Sequence, residues 1–176
     1  MAVRPIVLYP DPVLLEETQP VERVDEDVRT LVMDMVDTMY HAPGIGLAAN
    51  QIGVSRRVCV VDLSVGEEPG GLQVFINPIV RELHGCERGE EGCLSFPGVT
   101  LDIDRSELAT VEWLDLEGRR TTQTFEGFLA RVILHECEHL DGRVFLHNLS
   151  PLKRELVKKQ IRKRIKAGDW VEMVAQ

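Results

Sequence analysis

The chain has 176 residues, 44% apolar and 28% charged, which suits one soluble globular domain over residues 1–176 and excludes a disordered or fibrous chain. Its apolar runs are short, as at Val58–Val61, against the roughly 20 residues of a membrane-crossing helix. The net charge of −9 is uneven. Eight Lys or Arg and one Glu between Leu152 and Lys166 give that end +7 and leave −16 for the rest. That balance argues against general or sequence-specific nucleic-acid binding, while a basic end could still meet an anionic surface. Met1-Ala2-Val3-Arg4-Pro5 has neither an apolar signal core nor an Arg/Ser-rich transit pattern, so a cytoplasmic location is expected. Cys59, Cys86, Cys93 and Cys137 are then thiols, for which metal binding outranks a disulfide frame.

In chain order, Asp25 can cap a helix along which Val28, Leu31, Val32, Met35, Val36 and Met39 fall at helical spacing, ending before Pro43-Gly44. Gly44 to Gly53 reads as a loop. Arg57–Leu63, Leu72–Asn77, Ile79–Leu83, Val99–Ile103, Leu108–Leu116 and Thr121–Phe125 read as strands, with a turn at Glu117-Gly118. Gly127 opens a second helix that brings Leu129, Val132, Ile133, Glu136 and Leu140 together and stops at Gly142. A third helix starts at Ser150-Pro151 and runs to about Lys166, before Gly168. On it Leu152, Leu156, Val157, Ile161 and Ile165 form an apolar stripe that should pack on the body and leave a solvated basic face. Helix, strands and two more helices predict an α+β domain.

The strongest chemical signal is His135-Glu136-Cys137-Glu138-His139. Residues four apart on a helix share a face, so two imidazoles can bind one divalent ion, and Glu136 can reach a water on it. A solvated polar helix face would show the same letters. A catalytic ion usually takes a third protein ligand and keeps a place for water. Spacing leaves His147, Cys86 and Cys93 open for it, while Cys59 and Cys137 read as core thiols. Glu91-Gly92-Cys93-Leu94-Ser95 is a compact segment whose glycine permits close backbone approach. In Gly44-Ile45-Gly46-Leu47-Ala48-Ala49-Asn50-Gln51 the small residues permit tight packing, and Gln51 offers an amide to a developing oxyanion. Alone, this segment is equally a tight turn before a strand. Three functions fit the helix motif: a metalloprotease or other amidase using His147, a structural four-ligand site that adds Cys86 and Cys93, and a basic-tailed interaction protein.

Together and in this order, Gly44–Gln51, Glu91–Ser95 and His135–His139 resemble the three signature motifs of peptide deformylases, and Arg4 to Pro12 resembles the opening of bacterial members. The resemblance implies antiparallel strands wrapped around a central His-Glu-x-x-His helix, with an N-terminal helix and a basic C-terminal helix (residues 151–167). It selects Cys93 as the partner of His135 and His139 and implies iron(II), with zinc as a substitute; nickel and cobalt suit the same donors. The implied reaction removes the formyl group from N-formylmethionyl peptides. Glu136 would pass the proton of a metal-bound water to the leaving amine, and Gln51 and the Leu94 N–H would face the oxyanion. Gly44, Ile45 and Gly46 would lie beside the substrate, with Ile45, Phe128 and Val132 around the methionine side chain. Some family members dock on the ribosome through a C-terminal helix, which the basic end here could do. The chain departs from the family pattern at Leu134, at His147-Asn148, and at Glu138, where an Asp commonly supports a metal-bound histidine.

Overall fold

The computed structural model describes residues 2–172. The first helix, α1, spans Glu26–His41, and the Asp25 side chain accepts a hydrogen bond from the Val28 N–H, closing its first turn. Its buried face is the one periodicity marks, Val28 through Met39. Five antiparallel strands follow in spatial order β1-β2-β3-β6-β7: β1 Gly46–Ala48, β2 Val58–Val61, β3 Gln73–His84, β6 Leu108–Leu114 and β7 Arg120–Glu126. Strands β4 (Glu87–Gly92) and β5 (Thr100–Arg105) form a separate hairpin. The central helix α2 is Gly127–Leu140, and α3 is Pro151–Ala167.

Strand β2 explains the layering. Val58 and Val60 pack into the cluster that includes the α1 face, and Cys59 and Val61 into the cluster that includes Ile133, Cys137 and Leu140 of α2. A strand covered on both faces reads as a continuous apolar run rather than an alternating one. A third cluster, around Phe96, Ile103, Phe145 and Ile161, joins the hairpin to the turn after α2 and to α3.

The observed strands differ from the expected ones in three places. Within the expected Gly44–Gly53 loop, Gly46, Leu47 and Ala48 pair with Val61, Val60 and Cys59, and a single 3-10 turn (Ala49–Ile52) follows. Three small buried residues are too few to show strand periodicity. The two segments on either side of Pro78 are one strand, β3, which carries a register shift between Ile76 and Ile79 where Asn77 takes φ +52°. The Asn77 amide fills the break by bonding both backbone groups of Val21. Strand β4 was not expected, because its sequence, Glu-Arg-Gly-Glu-Glu-Gly, is charged and only Glu91 is buried.

The apolar stripe of α3 does not pack as expected. Only Ile161 is fully buried, whereas Leu152 is 73% exposed, Leu156 55% and Ile165 42%. The neighbouring segments present carbonyl oxygens to this helix instead. Arg154 donates to the carbonyls of Leu146, His147 and Leu149, and Arg164 to that of Pro97. The contact line is therefore Arg154, Val157, Ile161 and Arg164. No helix among the described residues is long and apolar enough to cross a membrane.

Candidate metal centre

Helix α2 begins at Gly127, which takes φ +60° at the corner where β7 turns into the helix. The helix packs on β1 and β2, and His135, Glu136 and His139 are all buried on it. The two imidazoles lie one turn apart with ring centroids 4.9 Å from each other. Cys93 arrives from the end of β4, and its Sγ is 3.2 Å from His139 Nε2. One ligand atom from each of Cys93, His135 and His139 lies within 4.8 Å of the others, a cluster that could hold a metal ion. The other candidates are elsewhere. Cys86 is exposed between β3 and β4, Cys59 and Cys137 are in the core behind α2, and His147 Nδ1 is bonded to the Val144 backbone at 3.0 Å.

The donor set passes a chemical test of fit. Burial, followed by the nearby His135, holds the His139 imidazole well below its usual pKa, so it is neutral and can offer a lone pair. Its Nδ1 is buried with no hydrogen-bond partner among the described residues. Burial also presses His135 toward neutrality, but Cys93 and Glu91 outweigh that and raise its pKa. His135 Nδ1 sits 2.9 Å from Glu91 Oε2. An ionised carboxylate only accepts, so Nδ1 carries the proton and Nε2 is left for a ligand.

Glu91 is the residue that sequence reasoning missed. It is 7% exposed and receives Arg105 at 2.8 and 3.0 Å and Arg131 at 2.9 Å, besides His135. Burial pushes its carboxyl up, but the bonds from His135 and Arg105 prevail and hold it at about 2. The carboxylate that supports a histidine of the cluster, expected by resemblance at position 138, is here Glu91 on His135. Glu138 instead takes Arg105 Nη1 at 2.9 Å and the Asn148 amide at 2.9 and 3.2 Å. A longer carboxylate and an asparagine thus stand together where the family pattern differs at both places. The available signal was the spacing Glu91-x-Cys93, since residues two apart in extended chain share a face.

This network makes stability acid-sensitive. Because Glu91 falls from an ordinary 4.5 to about 2 on folding, its contribution is complete above about pH 4.5 and is lost as pH drops toward 2. The shift corresponds to about 3 kcal/mol. Chemical unfolding of the metal-free protein should show stability falling between about pH 4.5 and pH 2, and Glu91→Gln should flatten that dependence.

A cleft of about 340 Å³ opens in front of these residues. Glu136 faces it, 4% exposed, with one carboxylate oxygen that has no hydrogen-bond partner among the described residues. Burial raises its carboxyl to about 7. Gly46 must be glycine here, because a Cβ would lie 2.5 Å from Glu136 Oε1. Gln51 Oε1 accepts from the Ala48 N–H, which turns Nε2 toward Ser95 Oγ (3.2 Å) and Cys93 Sγ (3.5 Å). Leu94, Gly44 and Ile45 form one wall, Val132 lies deep, and Phe128, 56% exposed, stands at the rim. Of the site residues expected from sequence, only His139 does not line the cleft; it lies behind the other two ligand candidates.

A thiol and two imidazoles clustered beside a buried carboxylate, at the head of an apolar cleft, define a metal-dependent hydrolase. The polypeptide deformylase family model matches residues 3–155. A peptide deformylase of Acidobacterium capsulatum is 46% identical over 170 residues, covering 97% of this chain and all of its own. The crystal structure of a peptide deformylase from Legionella pneumophila superposes with a TM-score of 0.85 at 43% identity, covering 94% of this chain and 98% of its own. That from Thermus thermophilus gives 0.85 at 40% identity, covering 94% and 96%. The chain belongs to the polypeptide deformylase family. It is a hydrolase that removes the N-formyl group from newly made peptides.

Proposed function

We propose that Cys93, His135 and His139 hold one divalent ion and that Glu136 moves the proton in deformylation, within a single catalytic domain that carries α3 as an appendage. The observation behind this reading is the convergence of three ligand atoms, from two segments distant in sequence, beside a buried carboxylate. A divalent ion held there would lower the pKa of a bound water enough to supply hydroxide near neutral pH. Glu136, with a carboxyl at about 7, accepts a proton and later returns it to the leaving amine. The Gln51 amide and the Leu94 N–H donate to the formyl oxygen as it gains charge. Gly44, Ile45 and Gly46 offer backbone to the peptide, and Ile45, Phe128 and Val132 receive the methionine side chain. Gln51→Ala should keep its metal and lose about a hundredfold in formate release from a formylmethionyl peptide. An unchanged rate would remove Gln51 from the oxyanion site.

Iron(II) is the ion proposed, with zinc, nickel or cobalt as substitutes, since a thiolate and two imidazoles suit all four. Four unpaired thiols support a cytoplasmic place of action. The exposed basic face of α3, on an otherwise acidic chain, supports docking on ribosomal RNA close to emerging substrates. Changing Lys158, Lys159, Arg162 and Lys163 to Glu should abolish low-salt cosedimentation with ribosomes and leave turnover of a short peptide unchanged. Equal sedimentation of the two proteins would refute the docking.

A further inference from the structure

The last described residues, 168–172, turn back across the molecule after α3. Their contacts converge on the turn that follows Cys93. Within that turn the Phe96 N–H donates to the Cys93 carbonyl (2.9 Å) and the Val99 N–H to the Phe96 carbonyl (3.1 Å). The rest of its support comes from outside. The Tyr9 N–H donates to the Ser95 carbonyl at 3.0 Å, and the Val7 N–H to the Gln51 carbonyl at 2.7 Å. The N-terminal segment therefore ties the two cleft-lining loops to each other.

The C-terminal segment fastens that assembly from the far side. Trp170 Nε1 donates to the Tyr9 carbonyl at 2.7 Å, and the Ile6 N–H donates to Glu172 at 2.7 Å. Arg164 Nη1 donates to the Pro97 carbonyl, and its guanidinium lies 4.9 Å from the centre of the Trp170 ring. Phe96, 1% exposed, is enclosed by Tyr9 (stacked, 4.8 Å), Phe145 (4.8 Å) and the edge of Trp170 (6.3 Å). Phe145 in turn meets the His135 ring edge-on at 5.8 Å. One packed chain of rings thus runs from Trp170 to an imidazole of the metal centre.

We infer that Arg164 and Trp170 form a latch that positions the Cys93–Gly98 turn, and with it the Cys93 thiolate and the Leu94 N–H. The inference rests on the proposed roles of those two groups. Neither latch residue lies within residues 3–155, the part that matches the family model. Its physical basis is that a metal ligand on a turn holds its place only as well as its surroundings hold the turn. A cation–π contact and two hydrogen bonds to carbonyls restrict the turn without covering the cleft.

The test uses the zinc-loaded enzyme and follows zinc release to a chelator at neutral pH. Arg164→Ala and Trp170→Ala should release the ion about ten to a hundred times faster than the parent, the range expected when support of a metal ligand is removed. Trp170→Phe, which keeps a ring against Phe96, and Arg164→Lys, which keeps a donor and a cation, should recover most of the difference. Lys166→Ala, on the same helix outside the latch, should release at the parental rate. With the cation replenished, kcat should fall more than KM rises in the two alanine variants, because the Leu94 N–H acts on the oxyanion. Loss of the ion from Cys93→Ala together with parental release from Arg164→Ala and Trp170→Ala would overturn the latch alone. Retention of the ion by Cys93→Ala would overturn the metal reading and the latch with it. If Trp170→Ala fails to fold, Arg164→Ala, whose side chain is partly exposed, decides the matter.

Discussion

Glu136→Gln is expected to bind a full equivalent of metal and to lose deformylation by about 10²–10⁴-fold, the usual worth of a positioned acid–base group. The substitution preserves shape, which matters because Gly46 packs closely against this side chain: a Cβ there would lie 2.5 Å from Glu136 Oε1. It removes only the ability to take up a proton. Because burial puts the Glu136 carboxyl at about 7, the parent should also show an acid limb in kcat/KM. The carboxylate is the active form, so the rate falls as pH drops through the neutral range. That limb should be missing from whatever activity Glu136→Gln retains. Near-normal formate release by a metal-loaded Glu136→Gln would show that the proton travels by another route.

Cys93→Ala should lose its metal almost completely, while Cys86→Ala and His147→Ala keep theirs. Of the three clustered donors among the described residues, the thiol is the one carried outside α2, and its Sγ is 3.2 Å from His139 Nε2. Two imidazoles one turn apart remain in the variant, but they leave a divalent ion short of its third protein ligand. Metal analysis of protein purified without air gives the occupancy and the identity of the ion together, with iron expected in the parent. Retention of metal in Cys93→Ala with loss in His147→Ala would move the site to the turn after α2 and restore the protease-like reading. The structure argues against that outcome, because among the described residues the donor that lies with His135 and His139 is Cys93 and not His147.

Much of this site is local, and local features are legible in a sequence. The spacing of His135 and His139 places both on one helical face whatever surrounds it. Asp25, Ser150 and the Gly142 stop mark helix ends because capping involves only near neighbours. The choice among Cys86, Cys93 and His147 is not local, and the residues alone left it open. The resemblance favoured Cys93. In the fold, β4 and β5 lie against the N-terminal half of α2, where Arg131 bonds the carbonyls of Glu87 and Ile103, and this brings Cys93 to His135 and His139. Glu91 was unreadable for the same reason. Among the charges of β4 it looks like any surface carboxylate, and only pairing with Arg105 of β5 and Arg131 of α2 turns it into a buried anion that orients His135. On α3 periodicity marked a stripe that the fold largely leaves in solvent, because the facing segments offer carbonyls that arginines satisfy better than leucines. Sequence thus determined which side chains share a helix face or close a helix end, because those relations span only a few residues. Only the tertiary structure decided which distant segments meet, since that depends on strand pairing and burial spread along the whole chain.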